Sequence, residues 1–221
     1  MRIGTWNLQG RWDQRHLDHI AAMACDVLLL TEVSERVQLP GLHLHQTPMT
    51  MAPRRRWAAV ASHRPLRALA EPHGASCMVE LEDLRICSSI LPWRNCGSRD
   101  PWQGSTTAER TKAAIEDIQA ATPTVWGGDW NHALAGREWT GTKRGRAALL
   151  VALEQLGLQV PTTDLPHQIP GLLSIDHSAI PTSWNVLAVE RHRAFAMDIR
   201  ISDHDAYVVE ADLPPMLAGL F

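Results

Sequence analysis

Aromatic residues other than tryptophan are scarce in this chain, which has one Tyr and two Phe among 221 residues. The four cysteines, Cys25, Cys77, Cys87 and Cys96, form no C-x-x-C pair, which removes the usual redox and zinc-ribbon spacings and leaves reduced core or surface thiols as the expectation. No apolar window approaches the ~18 residues that span a bilayer, and the chain opens on a strand pattern with no charged n-region and apolar h-region. The expectation is a soluble, cytoplasmic protein with no membrane contact. A basic excess is also missing. The formal net charge of −3 excludes a surface that is cationic overall, although it is blind to a local cationic cleft. Internal repeats, low-complexity tracts and interdomain linkers are absent, so one domain over 1–221 is expected.

What the chain does contain is strand-like runs punctuated by helices. Residues 2 to 8 read as a strand, Trp12 to Ala24 as a helix with Leu17, Ile20, Ala21 and Ala24 at helical spacing, and Val27 to Leu30 as a strand again. Short runs follow at Arg56 to Ser62, Cys77 to Leu81 and Leu84 to Leu91, separated by turn residues that favour antiparallel neighbours. Thr106 to Ala121 reads as a helix stopped by Pro123, and Thr124 to Trp130 as a strand. Thr140 to Gly145 reads as a loop opening a helix from about Arg146 to Leu156, with Leu149, Leu150, Leu153 and Leu156 as its apolar stripe. Strands at Ile175 to Ile180, Trp184 to Val189, Phe195 to Ile201 and Ala206 to Ala211 close the chain. Two packed, mostly antiparallel sheets flanked by helices fit this order better than a doubly wound sheet.

Four strand ends carry polar groups that cost free energy inside a protein unless they are paired or used: Asn7, Glu32, Asp129 with Asn131, and Ser202-Asp203-His204. Side chains two apart on a strand share a face, so Asp129 and Asn131 are expected to point together and to orient and deprotonate one water. Glu32 suits a hard oxygen ligand for Mg²⁺ or Mn²⁺, with Asn7 and Gln9 sharing a face beside it. Asp176, in Ile175-Asp176-His177, is placed to fix the tautomer of His204. A lone Glu more often caps a surface turn, and Asp and Asn often serve turns of their own. The recurrence at four strand ends is what favours one convergent site.

In chain order, these segments resemble the endonuclease/exonuclease/phosphatase superfamily, the deoxyribonuclease I-like hydrolases. Thr5-Trp6-Asn7-Leu8-Gln9-Gly10 is similar to its opening W-N motif, Leu30-Thr31-Glu32-Val33 to Q-E-V, Gly128-Asp129-Trp130-Asn131 to G-D-F-N, Ser174-Ile175-Asp176 to I-D, and Ser202-Asp203-His204 to the closing S-D-H. The resemblance implies a four-layered α/β sandwich and divalent-metal-dependent hydrolysis of phosphodiester bonds by in-line attack of water. It implies that Glu32 and Asn7 hold the metal with Asp203 as a further ligand. Asp129 and Asn131 then activate water, while His204, oriented by Asp176, stabilises the developing charge. A small bacterial-type nuclease acting on DNA or RNA is the leading reading. The alternatives are a phosphatase or phosphodiesterase for a small molecule or lipid headgroup, and a catalytically weakened module that binds phosphate or protein.

One position departs from the pattern. Family nucleases place His or Tyr where this chain reads Ser88-Ser89-Ile90-Leu91-Pro92-Trp93, and Ile90 cannot donate a hydrogen bond, so Ser89, Arg94 or His63 would have to substitute. Arg94 and Trp93 are the expected substrate contacts. Arg54-Arg55-Arg56 and Lys143 to Arg146 are candidates for a phosphate track, although charge runs are more often solvated faces. Trp93, Trp102 and Trp139, among nine tryptophans, fall in loop-like segments where a ring could stack on a base, core packing being the commoner use. His16 with His19 and His43 with His45 lack an adjacent third ligand and are assigned to the surface.

Overall fold

The computed structural model describes residues 1–213, so the final segment of the expected 1–221 domain lies outside the described residues. Its elements, in chain order, are β1 (Arg2–Asn7), α1 (Gln14–Met23), β2 (Val27–Ser34), β3 (His43–Gln46), β4 (Thr50–Ala52), β5 (Arg55–Ser62), β6 (Arg67–Ala68), β7 (Ser76–Leu81) and β8 (Leu84–Ile90). The second half adds α2 (Thr107–Ala120), β9 (Val125–Asp129), α3 (Lys143–Gln155), β10 (Leu158–Gln159), β11 (Asp176–Pro181), β12 (Asn185–His192), β13 (Phe195–Ala196), β14 (Ile199–Arg200) and β15 (Ala206–Asp212).

Among the described residues two large sheets form, ordered β12-β15-β1-β2-β5-β3 with β4 also on β5, and β10-β11-β9-β8-β7-β6, beside a small two-stranded β13-β14 sheet. Only β1 with β2 and β8 with β9 run parallel among the described residues, each pair joined through a helix; the remaining pairings are antiparallel. Val27 and Leu29 face the other sheet, while Leu28 and Leu30 face α1 through Ile20 and Met23. That two-sided burial explains the uninterrupted apolar run of β2. On the far side, Trp126 and Cys87 pack against Ile115, Ile118, Leu149 and Leu153 of α2 and α3. The layers are therefore helix, sheet, sheet, helix pair, as the four-layered α/β sandwich requires.

Local chemistry sets the helix limits. Asp13 caps α1 and Thr106 caps α2, each in a reciprocal capping box, and Thr142 caps α3. The cap at Thr142 starts α3 at Lys143, so the expected loop contributes its last residues to the first helical turn. Leu150 leaves the predicted stripe and is exposed, with Ala152 buried in its place. Ala24 terminates α1 in a left-handed conformation and, like Ala21, is exposed. The expected strand from Phe195 to Ile201 is instead a short hairpin, β13 with β14, reversing at Met197. All four cysteines are free, and among the described residues no helix is long and apolar enough to cross a membrane.

Candidate functional site

β1, β2, β9 and β11 deliver their polar termini to one end of the sandwich. Asp129 ends β9 and lies in register with Asp176, the first residue of β11, so the two carboxylates are cross-strand neighbours. Both neighbours of β9 approach too closely for a side chain: an added Cβ would sit 2.5 Å from the His177 carbonyl oxygen of β11 at Gly127, and 2.2 Å from the Ser89 carbonyl oxygen of β8 at Gly128, where φ is +121°. The Asn7 amide joins the two halves of the site, donating to Asp129 Oδ2 at 3.0 Å and to Glu32 Oε1 at 3.3 Å. His204 Nδ1 meets Asp176 Oδ2 at 2.7 Å, and its Nε2 lies 3.9 Å from Asp129 Oδ2.

The expected face shared by Asp129 and Asn131 is modified by the backbone. Asn131 has φ of +53°, outside strand geometry; its N–H donates to Asp129 Oδ1 at 3.0 Å and its side-chain amide to the Leu91 carbonyl at 3.1 Å. Glu32 also has positive φ, +49°, within β2, between the pairs Thr31 with Ala58 and Val33 with Arg56, whose register runs on unbroken. Left-handed backbone at a non-glycine residue costs on the order of 1 kcal/mol, and here it turns a carboxylate out of the ladder toward Asn7.

Charge in this cluster is concentrated and largely sheltered from water. Burial, then the neighbouring Asp176, raises the Asp129 pKa to about 7, against an ordinary value near 3.8. Burial alone would depress His204, but the Asp176 and Asp129 carboxylates outweigh it and lift the imidazole to about 10, so it is a cation at neutral pH. Asp176 Oδ1 is buried with no hydrogen-bond partner. The carboxylates of Glu32 and Asp129, bridged by the Asn7 amide, make an oxygen-rich set that fits a hard divalent ion, whereas the His204 imidazolium has no free lone pair for one.

Other expected residues are placed less centrally. Asp203 is exposed beside His204 and makes no hydrogen bond to the cluster. Ile90 is buried in register with Asp129, and its proposed substitutes separate. Ser89 Oγ accepts from Trp126 Nε1 at 2.8 Å within the core. His63 follows Ser62, which pairs with Val27 at the opposite end of β2. Arg94 remains: exposed, three residues beyond Leu91, with Nη2 3.4 Å from the Gly141 carbonyl. Trp93 is half-buried edge-on to Trp102, and Trp102 itself is core rather than a base-stacking ring. The surface assignments of His16, His19 and His45 also need correction, His19 being half-buried with its ring 4.7 Å from that of Trp6. His16 is buried, closing the capping box of α1, and the half-buried His45 pairs with Glu71.

Two features escape sequence reasoning. Arg55 of β5 forms an ion pair with Glu32 at 2.5 Å, so the expected metal ligand already has a cationic partner. His167 lies with its ring centroid 6.1 Å from that of His204, edge to face, and packs against Trp139 at 4.7 Å. No motif marks either contact, since both depend on cross-strand register or loop packing.

A profile of the endonuclease/exonuclease/phosphatase family matches residues 4–204. The chain belongs to this family. Phosphodiester hydrolysis is therefore its general chemistry, in a family that generally depends on divalent metal. No curated protein sequence matches the chain at significance. Among solved structures, an AP endonuclease from Archaeoglobus fulgidus superposes with a TM-score of 0.71 at 15% identity, covering 96% of this chain and 100% of that one. The 3′ phosphatase NExo from Neisseria, bound to a product DNA hairpin, gives 0.69 at 17% identity over 96% and 100%. The endonuclease domain of TRAS1, a telomere-specific non-LTR retrotransposon, gives 0.64 at 16% over 97% and 99%. At such identities these likenesses concern the fold.

One stability prediction arises beside the site. His177, next to Asp176, is fully buried between the Thr162 hydroxyl at 3.1 Å and the His132 carbonyl at 3.0 Å, and burial lowers its pKa to about 4 from 6.5. The unfolded imidazole takes a proton that the folded one resists. Stability is therefore complete above pH 6.5 and falls as pH drops toward 4, at up to ~1.4 kcal/mol per pH unit from this group. Denaturation midpoints measured from pH 7.5 to 4.5 should decline, and His177→Gln should flatten the decline.

Proposed function

We propose that the protein is a divalent-metal-dependent nuclease. The observation that carries nucleic acid over a small phosphoester is a cleft of about 450 Å³ beside Glu32, lined by Arg11, Arg15, Arg36, Arg54, Arg55 and Arg200. Arg15 is paired with Asp13, Arg55 with Glu32 and Arg200 with Asp205, whereas Arg11, Arg36 and Arg54 are exposed and make no ion pair among the described residues. Three free guanidinium groups lining one cleft, on a chain of net charge −3, offer more cationic donors than a single phosphate needs. The cleft adjoins the site directly, because Gly10 N–H donates to the Glu32 carbonyl at 2.7 Å.

In this reading Glu32 and Asn7 hold a Mg²⁺ or Mn²⁺ ion, which supplies Lewis-acid polarisation of the scissile phosphate. Asp129, fixed by Asn7 and the Asn131 N–H, accepts the proton of the attacking water. The His204 imidazolium, held by Asp176, faces the oxygen on which negative charge grows. Arg94 and Trp93, on the loop that leaves β8, are proposed to contact the substrate chain. Ile90 supplies no hydrogen at its position, which supports a slow enzyme: general-acid assistance is commonly worth ~10²- to 10⁴-fold.

Cleavage of single- and double-stranded DNA, RNA and bis-nitrophenyl phosphate under Mg²⁺ and Mn²⁺ tests the proposal. In the Arg11→Ala, Arg36→Ala, Arg54→Ala triple variant, KM for an oligonucleotide should rise. The slope of log KM against log salt should flatten by up to about 2 to 3. The small diester should be cleaved as before. Equal losses on both substrates, or none on either, would reject the nucleic-acid assignment.

A further inference from the structure

Away from this site, three side chains of different chemistry meet where the two sheets approach at their edges. His45 lies on β3, the edge strand of the first sheet; Glu71 is in the loop between β6 and β7; Cys77 is on β7 of the second sheet. Their ligand-competent atoms all lie within 4.8 Å of one another. His45 is in register with Val60, whose side chain belongs to the layer between the sheets, and Cys77 belongs to that same layer. The imidazole is thus directed inward rather than to solvent.

We propose that His45, Glu71 and Cys77 form a zinc site that ties the edges of the two sheets together. An imidazole, a carboxylate and a thiol make a donor set of borderline softness, which favours Zn²⁺ over Mg²⁺ or Ca²⁺. Tetrahedral bonds of ~2.0–2.3 Å place donor atoms about 3.5 Å apart. His45 Nε2 and Glu71 Oε1 are 3.1 Å apart, so closing the set requires a shift of up to about 1.3 Å, mainly at the thiol.

The unmetallated arrangement is incompletely compensated. Glu71 is only 17% exposed and has no Arg or Lys partner among the described residues, its contacts being His45 and the Met78 N–H at 2.8 Å. Burial raises its pKa, as expected for a sheltered carboxylate without a cation. Cys77 is wholly buried and donates to the His45 carbonyl at 3.3 Å. On coordination its thiol proton passes to solvent and the thiolate becomes the third ligand. The His45 side, 29% exposed, leaves the fourth position open to water and provides the entry path.

Co²⁺ spectroscopy separates this site from the catalytic one, which contains no cysteine. The wild-type chain and an Asp129→Asn variant should both show a near-ultraviolet thiolate-to-cobalt charge-transfer band, and Cys77→Ser should lack it. Zn²⁺ should raise the thermal midpoint of the wild type. Where Cys77→Ser fails to fold, His45→Gln, at a half-exposed edge, keeps the test open. It should weaken Zn²⁺ by more than ~100-fold, since even outer partners of a metal site are worth 10- to 100-fold. Absence of the band in the wild type, its persistence in Cys77→Ser, or unchanged Zn²⁺ affinity in His45→Gln would overturn the proposal.

Discussion

Asp129→Asn is expected to lower kcat for Mg²⁺-supported phosphodiester cleavage by about 10³- to 10⁴-fold, with the unfolding midpoint held or slightly raised. The catalytic loss combines a general-base contribution of ~10²- to 10⁴-fold with weaker hold on the attacking water. The conserved stability follows from the packing. An amide of the same shape still accepts the Asn131 N–H now bound by Oδ1. The charge it removes is buried beside Asp176 and within the field of Glu32, whose repulsion helps raise the Asp129 pKa. Relief of that repulsion offsets the donor-to-donor contact created with the Asn7 amide, now 3.0 Å from Oδ2. A steady-state assay and a thermal melt on one preparation check both halves. A variant within threefold of wild-type kcat would remove Asp129 from the chemistry, and one that unfolds early would make it structural.

The sandwich was legible because its strands are buried by two different rules. β2 is covered on both faces and reads as a continuous apolar run, while β1 and β9 end on Asn7 and Asp129, polar groups that core packing does not explain. The motif order also located Asp176 and His204, which the structure joins at 2.7 Å. What pattern reading could not supply was anything set by register or by loop path. Arg55 reaches Glu32 because β5 pairs antiparallel with β2 and Glu32 sits there with a left-handed backbone, a relation invisible in two tripeptides 23 positions apart. His45 follows the exposed His43 at a two-residue spacing, so only the approach of the second sheet shows that its ring is turned inward. Trp102 looks like a loop residue because it follows Pro101, yet it packs between Trp57 and His73. A sequence written along one dimension records which residues are polar, but the partner that neutralises each one is chosen by pairing.

His204→Ala is expected to reduce kcat by ~10²- to 10³-fold with little change in KM, the range seen when one donor to a developing oxyanion is lost. The double variant His204→Ala, Asp176→Asn should be no slower than His204→Ala alone. The reason is that Asp176 acts on substrate only through the imidazole: its Oδ2 fixes Nδ1, and its charge is the largest force raising the His204 pKa. Asp176→Asn alone should therefore cost about 10- to 100-fold, the range of an outer partner that orients a functional imidazole. Residues acting as a unit are strongly non-additive. Multiplying losses in the double variant would show that Asp176 meets substrate or metal by itself, and its unpartnered Oδ1 is the atom that would do so.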